Sequence, residues 1–260
     1  MPNLDAFCMN TSALCIIIPC YNEYERLPEA NFRLFLEQTP HVTVCFVNDG
    51  SSDKTSEKLF GIQKEHPKNA LVIHNEMNLG KAEAIRTAVL ELSKSNNYTH
   101  FAYLDADLAT SLEECYSLLQ KLVDGKEFVF ASRILKIGSI VERKFSRFLF
   151  GRIIATFISN ILDIAVYDTQ CGCKVFTSSI APVLFNKPFI SKWLFDVELF
   201  SRLLCHYGKD TALAKMEEIP VKRWVDQGDS KVKLSYFFRL WYDLFQIGKA
   251  HRKNYKTNNA

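Results

Sequence analysis

The chain has 260 residues, of which 48% are hydrophobic and 23% are charged, so it can bury a large core and global disorder is excluded. Its formal net charge of +3 is too small to indicate nucleic-acid binding, and we expect no nucleic-acid partner. Because the sequence has no long uncharged apolar stretch and no basic, apolar leader, we expect neither a transmembrane helix nor a secretory signal.

Apolar runs that end in turn residues alternate with amphipathic helical patterns through the first half of the chain. Strands are predicted at residues 14–18, 42–48, 71–74, 101–104 and 128–131. Helices are predicted between them at residues 25–37, 54–65, 81–94 and 112–122. This alternation is typical of βαβ units, so the sequence predicts an α/β fold with a doubly wound, mostly parallel sheet.

The second half of the chain is less regular. Helices are predicted there at residues 143–166, 195–207 and 232–252. A loop with a short strand is predicted at 167–177, and a further strand at 217–224. We expect one domain over residues 1–230, followed by a C-terminal amphipathic helix and polar tail over residues 231–260.

The eight cysteines are scattered, and no Cys-x-x-Cys pair occurs. Cys171 and Cys173 are too close together for a usual zinc knuckle, and no spaced histidine pair accompanies them. We expect mostly structural thiols in a reducing compartment.

Two carboxylates, Asp105 and Asp107, directly follow the predicted strand 101–104. Such a pair suits a hard divalent cation that shares its oxygen ligands with a substrate phosphate. The alternative is structural, with Asp107 or Thr110 capping a helix that starts near Ser111.

Polar loops follow two other predicted strands, PCYNE at residues 19–23 and NDGSSD at residues 48–53. The carboxyl ends of parallel strands share one edge of a sheet, which favours a functional role for the paired aspartates. Asp49 could accept hydrogen bonds from a base edge or serve only as a turn former. Lys81 begins a helix after Gly80, which suits a phosphate or a solvated helix start. The glycine patterns of dinucleotide-binding loops and P-loops are both absent.

Together these stretches amount to a family resemblance. PCYNE, VNDGSSDKT, NLGKAEAIRTA and YLDADL resemble, in order and spacing, the inverting nucleotide-sugar glycosyltransferases of the GT-A fold (family 2). DTQCGCKVF, WLFDVELF and WVDQGDSKV are similar to the polyprenyl-phosphate branch, most of all to dolichyl-phosphate β-glucosyltransferases and less closely to dolichyl-phosphate mannose synthases. The resemblance covers roughly residues 14–245 and implies a GT-A fold with partly interfacial helical C-terminal elements.

The resemblance implies roles for individual residues. Those expected to bind the nucleotide sugar are Pro19, Tyr21, Glu23, Asp49, Lys81 and Asp105. Those expected to hold Mg²⁺ or Mn²⁺ are Asp105 and Asp107. Those expected to act at the catalytic centre or line the donor-sugar side are Arg133, Asp168, Gln170, Gly172, Asp196 and Glu198. Those expected near the acceptor phosphate are Arg133, Arg143, Arg147, Arg152, Trp224 and Ser230.

The chain departs from the family pattern in three ways. Ala109 stands where the mannose synthases commonly carry a glutamine, so a third metal ligand is lost or replaced. Cys173 replaces the usual aromatic residue of the CGF loop. Membrane helices, frequent at one end of the relatives, are not evident here.

The implied reaction moves a hexose, with glucose favoured, from a nucleotide sugar to a polyprenyl or dolichyl phosphate. UDP-glucose is the favoured donor and GDP-mannose is possible. A phosphate acceptor is already an anion and needs only cations to position it, whereas a hydroxyl acceptor needs a general base, for which Asp196 is the candidate. A sugar-hydroxyl acceptor in surface-polysaccharide synthesis therefore stays open. A phosphatase of the haloacid-dehalogenase type fits poorly because no Gly-Thr follows the aspartates, and intact aspartates argue against a non-catalytic binding module.

The last predicted helix bears on the location of the acceptor. Its apolar residues recur at helical spacing with basic residues around them: Leu234, Phe237, Phe238, Trp241, Leu244 and Phe245. This pattern indicates either interfacial membrane binding or packing on the protein's own core. We expect a cytoplasmic protein with peripheral contact at the cytoplasmic face of a membrane.

Overall fold

The computed structural model describes residues 13–142, 145–225 and 236–258. In these ranges the strands are β1 (Leu14–Cys20), β2 (Val42–Asp49), β3 (Ala70–Asn75), β4 (His100–Tyr103), β5 (Phe128–Ser132), β6 (Ile140–Glu142), β7 (Lys174–Thr177), β8 (Met216–Pro220) and β9 (Arg223–Val225). The helices are α1 (Glu29–Gln38), α2 (Thr55–Glu65), α3 (Lys81–Ser93), α4 (Leu112–Leu119), α5 (Phe145–Leu162), α6 (Ala181–Phe185), α7 (Phe195–Tyr207), α8 (Lys209–Lys215) and α9 (Tyr236–Asn258).

The main sheet has seven strands in the order β3-β2-β1-β4-β7-β5-β8. All neighbours pair in parallel except β7, which runs antiparallel to both β4 and β5. β6 and β9 form a separate parallel pair. The predicted mixed α/β fold with a mostly parallel sheet is therefore confirmed.

The sheet is covered on both faces, which explains the near-continuous apolar run of the inner strand β1. In β1, Cys15 and Ile17 face one apolar cluster, while Leu14, Ile16 and Ile18 face another. Helices α3, α5, α6, α7 and α9 contribute to the first cluster, and α1, α2 and α4 to the second.

Several predicted boundaries differ from the structure. The predicted strand 217–224 is two strands in different sheets, because β8 ends at Pro220, which has no N–H to continue the ladder. The first helix begins at Glu29 rather than at residue 25, because residues 23–27 form a turn in which Leu27 N–H donates to the Glu23 carbonyl at 2.8 Å. Helix α5 ends at Leu162, where Asp163 takes a left-handed φ of 53°. Helix α9 continues to Asn258, and predicted helical residues 232–235 lie outside the described part.

Helix α9 packs one face on the protein itself. Leu244 and Ile247 are buried in the core, and Trp241 meets Phe157 of α5 edge-on at 4.8 Å between ring centroids. Tyr242 and Phe245 of the same helix are exposed. Along the described ranges, no helix combines the length and the apolarity that crossing a bilayer requires.

Candidate active site

The carboxyl ends of β1, β2, β4, β5 and β8 lie at one edge of the sheet, together with the amino end of antiparallel β7. The loops after β1 and β2 are bonded to each other there. Asn22 N–H donates to Ser51 Oγ at 3.1 Å, and Glu23 N–H donates to Thr55 Oγ1 at 2.8 Å. The two polar loops predicted to share an edge therefore form one surface.

This surface contains three of the expected nucleotide-binding residues, which differ in exposure: Pro19, Tyr21 and Glu23. Pro19 is half-buried at the penultimate position of β1, and Tyr21, which follows the strand, is exposed. The Glu23 carboxylate is largely buried and accepts two hydrogen bonds from Arg26, at 2.7 and 2.8 Å. Tyr21 is thus the most accessible of the three to a ligand.

Asp49 is buried and holds the segment that leads to Lys81. Its carboxylate accepts hydrogen bonds from Asn75 Nδ2 at 2.8 Å, Leu79 N–H at 3.0 Å and Gly80 N–H at 2.7 Å. The following Gly50 has a φ of 67°, and a Cβ there would lie 2.5 Å from the backbone of residues 77 and 78. The Asp49 carboxylate therefore holds the loop before α3 in place, and through this loop it positions Lys81.

Asp105 and Asp107 directly follow β4. Asp105 forms an ion pair with Lys81, at the amino end of α3. Asp107 Oδ1 accepts the N–H of Ala109 at 3.1 Å in a turn whose Leu108 has a φ of 51°. Burial and the nearby Asp105 carboxylate raise the pKa of Asp107.

The helix-cap alternative for Asp107 and Thr110 is wrong. Helix α4 begins at Leu112, and its cap is Ser111, whose Oγ accepts the N–H of Glu114 at 3.1 Å. The two aspartates are thus not required to terminate the helix.

Lys81 stands in a strongly negative environment. Burial by itself would lower its pKa, but the carboxylates of Asp105 and Asp196 raise it above its ordinary value, and Asp107 adds a smaller effect in the same direction. The ammonium is therefore charged and occupies one carboxylate of the predicted metal pair.

The paired aspartates fit a divalent cation as an incomplete site. They supply carboxylate oxygens, which suit Mg²⁺ or Mn²⁺. Burial and, after it, the Asp105 charge raise the pKa of Asp107, and a bound cation would offset both effects. Within residues 13–142, 145–225 and 236–258, no three His, Cys, Asp or Glu side chains converge as a metal cluster. A cation there would complete its shell with ligands from substrate or water.

Arg133 and Asp168 form a largely buried pair at the same edge, beside the end of β5 and two strands away from β4. Arg133 Nε and Nη2 donate to the Asp168 carboxylate at 2.6 and 2.8 Å, and Trp224 lies with its ring centroid 5.3 Å from the guanidinium carbon. Although burial opposes the charge, Arg133 lowers the pKa of Asp168 to about 2. The structure thus brings together three residues that were expected near the donor sugar and the acceptor.

Gln170 lies beside this pair, and its N–H donates to Asp168 Oδ1 at 3.0 Å. Its Nε2 is buried without a hydrogen-bond partner among the described residues, as are the hydroxyls of Ser132 and Thr169. Unsatisfied buried donors are costly, so these groups suit a polar ligand at this position.

Three residues that were not predicted from the sequence bind residues of the site and hold them in place: Glu218, Lys174 and Tyr103. Glu218 of β8 accepts the N–H groups of Tyr167 and Asp168 at 3.0 and 2.8 Å. Lys174 is fully buried and contacts Asp196 at 2.6 Å, and the Tyr103 hydroxyl donates to the same carboxylate oxygen at 2.5 Å. The sequence offered one signal for this contact: Lys174 stands at the start of the apolar strand KVFT, and a lysine buried in a strand needs a polar or charged partner.

Other expected residues are placed differently. The Glu198 carboxylate does not face the paired aspartates as a free group, because it accepts the N–H groups of Ile190 and Ser191 at 3.0 and 2.9 Å. Arg152 donates to the Tyr167 carbonyl at 2.7 Å and stacks on its ring at 3.7 Å. Arg143 and Ser230 lie outside the described residues, as does the side chain of Arg147 in α5.

Curated relatives match most of the chain. A dolichyl-phosphate beta-glucosyltransferase of Drosophila melanogaster is 32% identical, with 90% of this chain and 74% of the relative covered. A dolichyl-phosphate beta-glucosyltransferase of Trichomonas vaginalis is 27% identical, with 92% of this chain and 74% of the relative covered.

A solved structure shares the fold. Glucosyl-3-phosphoglycerate synthase from Mycobacterium tuberculosis, in complex with Mn²⁺, UDP-glucose and phosphoglyceric acid, superposes with a TM-score of 0.65 at 13% identity. The match covers 92% of this chain and 80% of that one.

The family model described as glycosyl transferase family 2 matches residues 15–185, which include both aspartates and the loop before β7. The chain therefore belongs to glycosyl transferase family 2.

Proposed function

We propose that this enzyme transfers a hexose, with glucose favoured, from a nucleotide sugar to a polyprenyl or dolichyl phosphate, with inversion at the anomeric carbon. The observation that carries the proposal is one sheet edge at which a two-carboxylate site, Asp105 and Asp107, follows β4 and the Arg133–Asp168 pair lies beside the end of β5, two strands away. The names of curated relatives that match most of the chain support the same donor and acceptor classes.

Asp105 and Asp107 would hold Mg²⁺ or Mn²⁺. When bound, the ion would offset the charge that grows on the leaving diphosphate. The neighbouring fold relative was crystallised with Mn²⁺ and UDP-glucose, which supports this assignment and a UDP-glucose donor. Lys81 would exchange its contact with Asp105 for one with the donor phosphates.

The nucleoside would lie on the surface formed by the loops after β1 and β2. Exposed Tyr21 and half-buried Pro19 would contact it. Glu23 and Asp49 would act indirectly, because their carboxylates are engaged with Arg26 and with the loop before α3. Gln170, with its unpaired buried Nε2, would donate to a sugar hydroxyl.

The state of Asp196 favours a phosphate acceptor over a hydroxyl acceptor. Its Oδ1 forms an ion pair with Lys174 and accepts a hydrogen bond from Tyr103, and the side chain is buried. A general base must reach the proton that it removes, whereas a phosphate nucleophile has no proton to lose near neutral pH. Arg133, beside Trp224, would help to position that phosphate.

Peripheral membrane contact is the remaining part of the proposal. Exposed apolar side chains occur at a four-residue interval on α5, at Leu149, Ile153 and Phe157. Others occur at Tyr242 and Phe245 on α9, which packs on α5 through Trp241 and Phe157. An aromatic and aliphatic surface of this kind suits the headgroup region of a bilayer, where a polyprenyl acceptor resides. The enzyme would then act at the cytoplasmic face.

The donor and acceptor are tested with purified protein, Mn²⁺ and a polyprenyl phosphate, using labelled UDP-glucose, GDP-mannose and UDP-GlcNAc in parallel. We expect an organic-soluble glucosyl product from UDP-glucose. No such product from any donor would overturn the lipid-phosphate acceptor, and a product with a free sugar acceptor instead would support the hydroxyl alternative.

The metal assignment is tested with Asp107→Ala, against Glu113→Ala as a control at an exposed carboxylate of α4. We expect the first variant to lose at least about 100-fold in kcat/KM, because charge stabilisation of this kind contributes about 3 kcal/mol or more. Full activity in Asp107→Ala would contradict the proposed role.

A further inference from the structure

Lys174 is a buried cation that the proposed reaction does not use. It is completely inaccessible at the start of β7, opposite Tyr103 in the register with β4. Its Nζ lies 2.6 Å from Asp196 Oδ1 and donates to the Cys171 carbonyl oxygen at 2.6 Å. The Tyr103 hydroxyl donates to the same Asp196 oxygen at 2.5 Å, which closes a cluster of Tyr103, Lys174 and Asp196.

This cluster joins three elements directly behind the paired aspartates. Tyr103 ends β4 two residues before Asp105, Lys174 begins β7, and Asp196 lies in the first turn of α7. A carboxylate in the first turn of a helix is favoured by the helix dipole, so Asp196 is a stable partner for the ammonium. The cluster therefore fixes the ends of these elements relative to one another.

A short chain of contacts runs from Lys174 to the metal pair. The carbonyl that Lys174 holds belongs to Cys171, and the next residue is Gly172. A Cβ at Gly172 would lie 1.9 Å from Asp105 Oδ2 and 2.5 Å from its Cγ, so the backbone of this residue packs directly on the carboxylate. Any shift of the turn at residues 171–173 would therefore change the space available to Asp105.

Stability alone does not account for such a cluster. Replacing a buried ion pair with apolar side chains of similar volume is often neutral or stabilising. Groups that orient a metal ligand, in contrast, affect metal affinity when they are removed. We propose that Lys174 is a positioning residue, which with Asp196 and Tyr103 holds the turn at residues 171–173 against Asp105 and so sets the geometry of the metal carboxylates. The inference rests on the proposed metal role of Asp105 and Asp107.

The test uses the full chain with all three polar groups replaced together: Lys174→Met, Asp196→Leu and Tyr103→Phe. Removing Lys174 alone would leave buried Asp196 without the cation that contacts it directly and could unfold the protein. The triple variant leaves none of the three side chains with an unpaired charge or hydroxyl, and it removes the donor to the Cys171 carbonyl, which is the contact under test. We expect its midpoint of thermal unfolding to stay close to that of the original protein. Mn²⁺ binding in the presence of UDP is measured by electron paramagnetic resonance, with the donor KM and kcat measured separately.

We expect the dissociation constant of Mn²⁺ to rise about 10-fold or more in the triple variant, as for other groups that support metal ligands. A folded triple variant that binds Mn²⁺ as tightly as the original protein, while Asp107→Ala has lost binding, would overturn the positioning role alone. Unchanged Mn²⁺ binding in Asp107→Ala would instead overturn the proposed metal site. If the triple variant unfolds, Asp196→Asn with Lys174→Gln gives the same measurement with hydrogen-bonding side chains retained, and unchanged Mn²⁺ affinity there also contradicts the role.

Discussion

Asp168 accepts three hydrogen bonds from Arg133: from the backbone N–H at 3.1 Å, from Nε at 2.6 Å and from Nη2 at 2.8 Å. The Gln170 N–H adds a fourth at 3.0 Å. The carboxylate is thus held in its charged form in a buried position, and its pKa falls to about 2. One residue pair thereby links the end of β5 to the loop before β7.

Asp168→Asn should remove a pH-dependent part of the stability. A carboxyl group whose pKa is lower in the folded than in the unfolded state stabilises the fold above the unfolded pKa of about 4, by about 2.5 kcal/mol here. This contribution is lost as the pH falls from about 4 toward 2, and about half of it remains at pH 3. Urea unfolding of both proteins at pH 7, 4 and 3 should therefore give a difference that shrinks with acidification.

The control for this prediction is Asp163→Asn, which alters an exposed carboxylate paired with Lys209. We expect no resolvable change in its free energy of unfolding at any of these pH values, because exposed pairs contribute little. A difference between Asp168→Asn and the original protein that stays constant from pH 7 to 3 would contradict the assignment of the lowered pKa.

Lys81→Met should change two affinities in opposite directions. Removing the ammonium from Asp105 abolishes a competing cation, so Mn²⁺ should bind the nucleotide-free protein about three- to tenfold more tightly, a modest gain since the pair is partly exposed. The donor KM should rise, because its phosphates lose a positive partner. Titration calorimetry with Mn²⁺ alone and steady-state kinetics measure the two effects.

Lys64→Met is the matched control for Lys81→Met, because Lys64 is exposed in the last turn of α2. It should leave both affinities unchanged. General damage to the site weakens both ligands, so weaker Mn²⁺ binding in Lys81→Met would refute the competition.

Much of the fold was predictable because buried parallel strands are continuous apolar runs that end in turn residues. β1, β2 and β4 were predicted to within a few residues, and the loops after them meet as expected. The break between β8 and β9 was missed because Pro220 interrupts a stretch whose alternating pattern continues beyond it. The short helices α6 and α8 depend on packing rather than on a long periodic pattern, so the sequence signal was weak.

The site was predicted unevenly for a physical reason. Residues that follow strand ends, such as Asp105 and Asp107, reveal their position through the strand pattern alone. Lys174, Tyr103 and Glu218 act through contacts between elements that are distant in sequence, as when Glu218 accepts the N–H of Asp168. The Asp49 carboxylate accepts hydrogen bonds from the N–H groups of Leu79 and Gly80. These bonds also depend on tertiary structure, which no local motif specifies.

Gly172→Ala should impair the metal site through simple overlap. The added Cβ would lie 1.9 Å from Asp105 Oδ2, so the carboxylate or the turn must move. A displacement of about 1 Å at a reacting centre can cost about 100-fold in rate, and we expect a loss of this order in kcat/KM together with weaker Mn²⁺ binding.

Gly151→Ala provides the matched substitution at a glycine of α5 where a Cβ meets nothing within 4 Å. Activity should be unaffected, and the free energy of unfolding should rise by up to about 1 kcal/mol because alanine favours a helix. If Gly172→Ala matches Gly151→Ala in Mn²⁺ affinity, the close packing on Asp105 has no functional consequence.

Phe245→Glu should weaken membrane contact. Phe245 is exposed on α9, and transferring a phenylalanine side chain out of water contributes about 2 kcal/mol, so binding to vesicles should fall roughly 10-fold or more. Co-sedimentation with vesicles of phosphatidylcholine and phosphatidylserine measures the bound fraction, and turnover of a short-chain soluble polyprenyl phosphate should be retained.

Leu34→Glu is the comparison, because Leu34 is similarly exposed but lies on α1, away from α5 and α9. Its vesicle binding should equal that of the original protein. Equal losses in both variants would mean that binding reflects general hydrophobicity rather than the surface formed by α5 and α9.

The late position of β7 in the sequence has a consequence for the order in which the sheet assembles during synthesis. β4 pairs on one side with β1 but on the other side only with β7, whose residues emerge from the ribosome some seventy positions later. Until then one edge of β4 lacks its partner, and unpaired edges are prone to pairing with other chains. The strand that ends just before the two aspartates therefore keeps one edge unpaired until residues 174–177 have been synthesised.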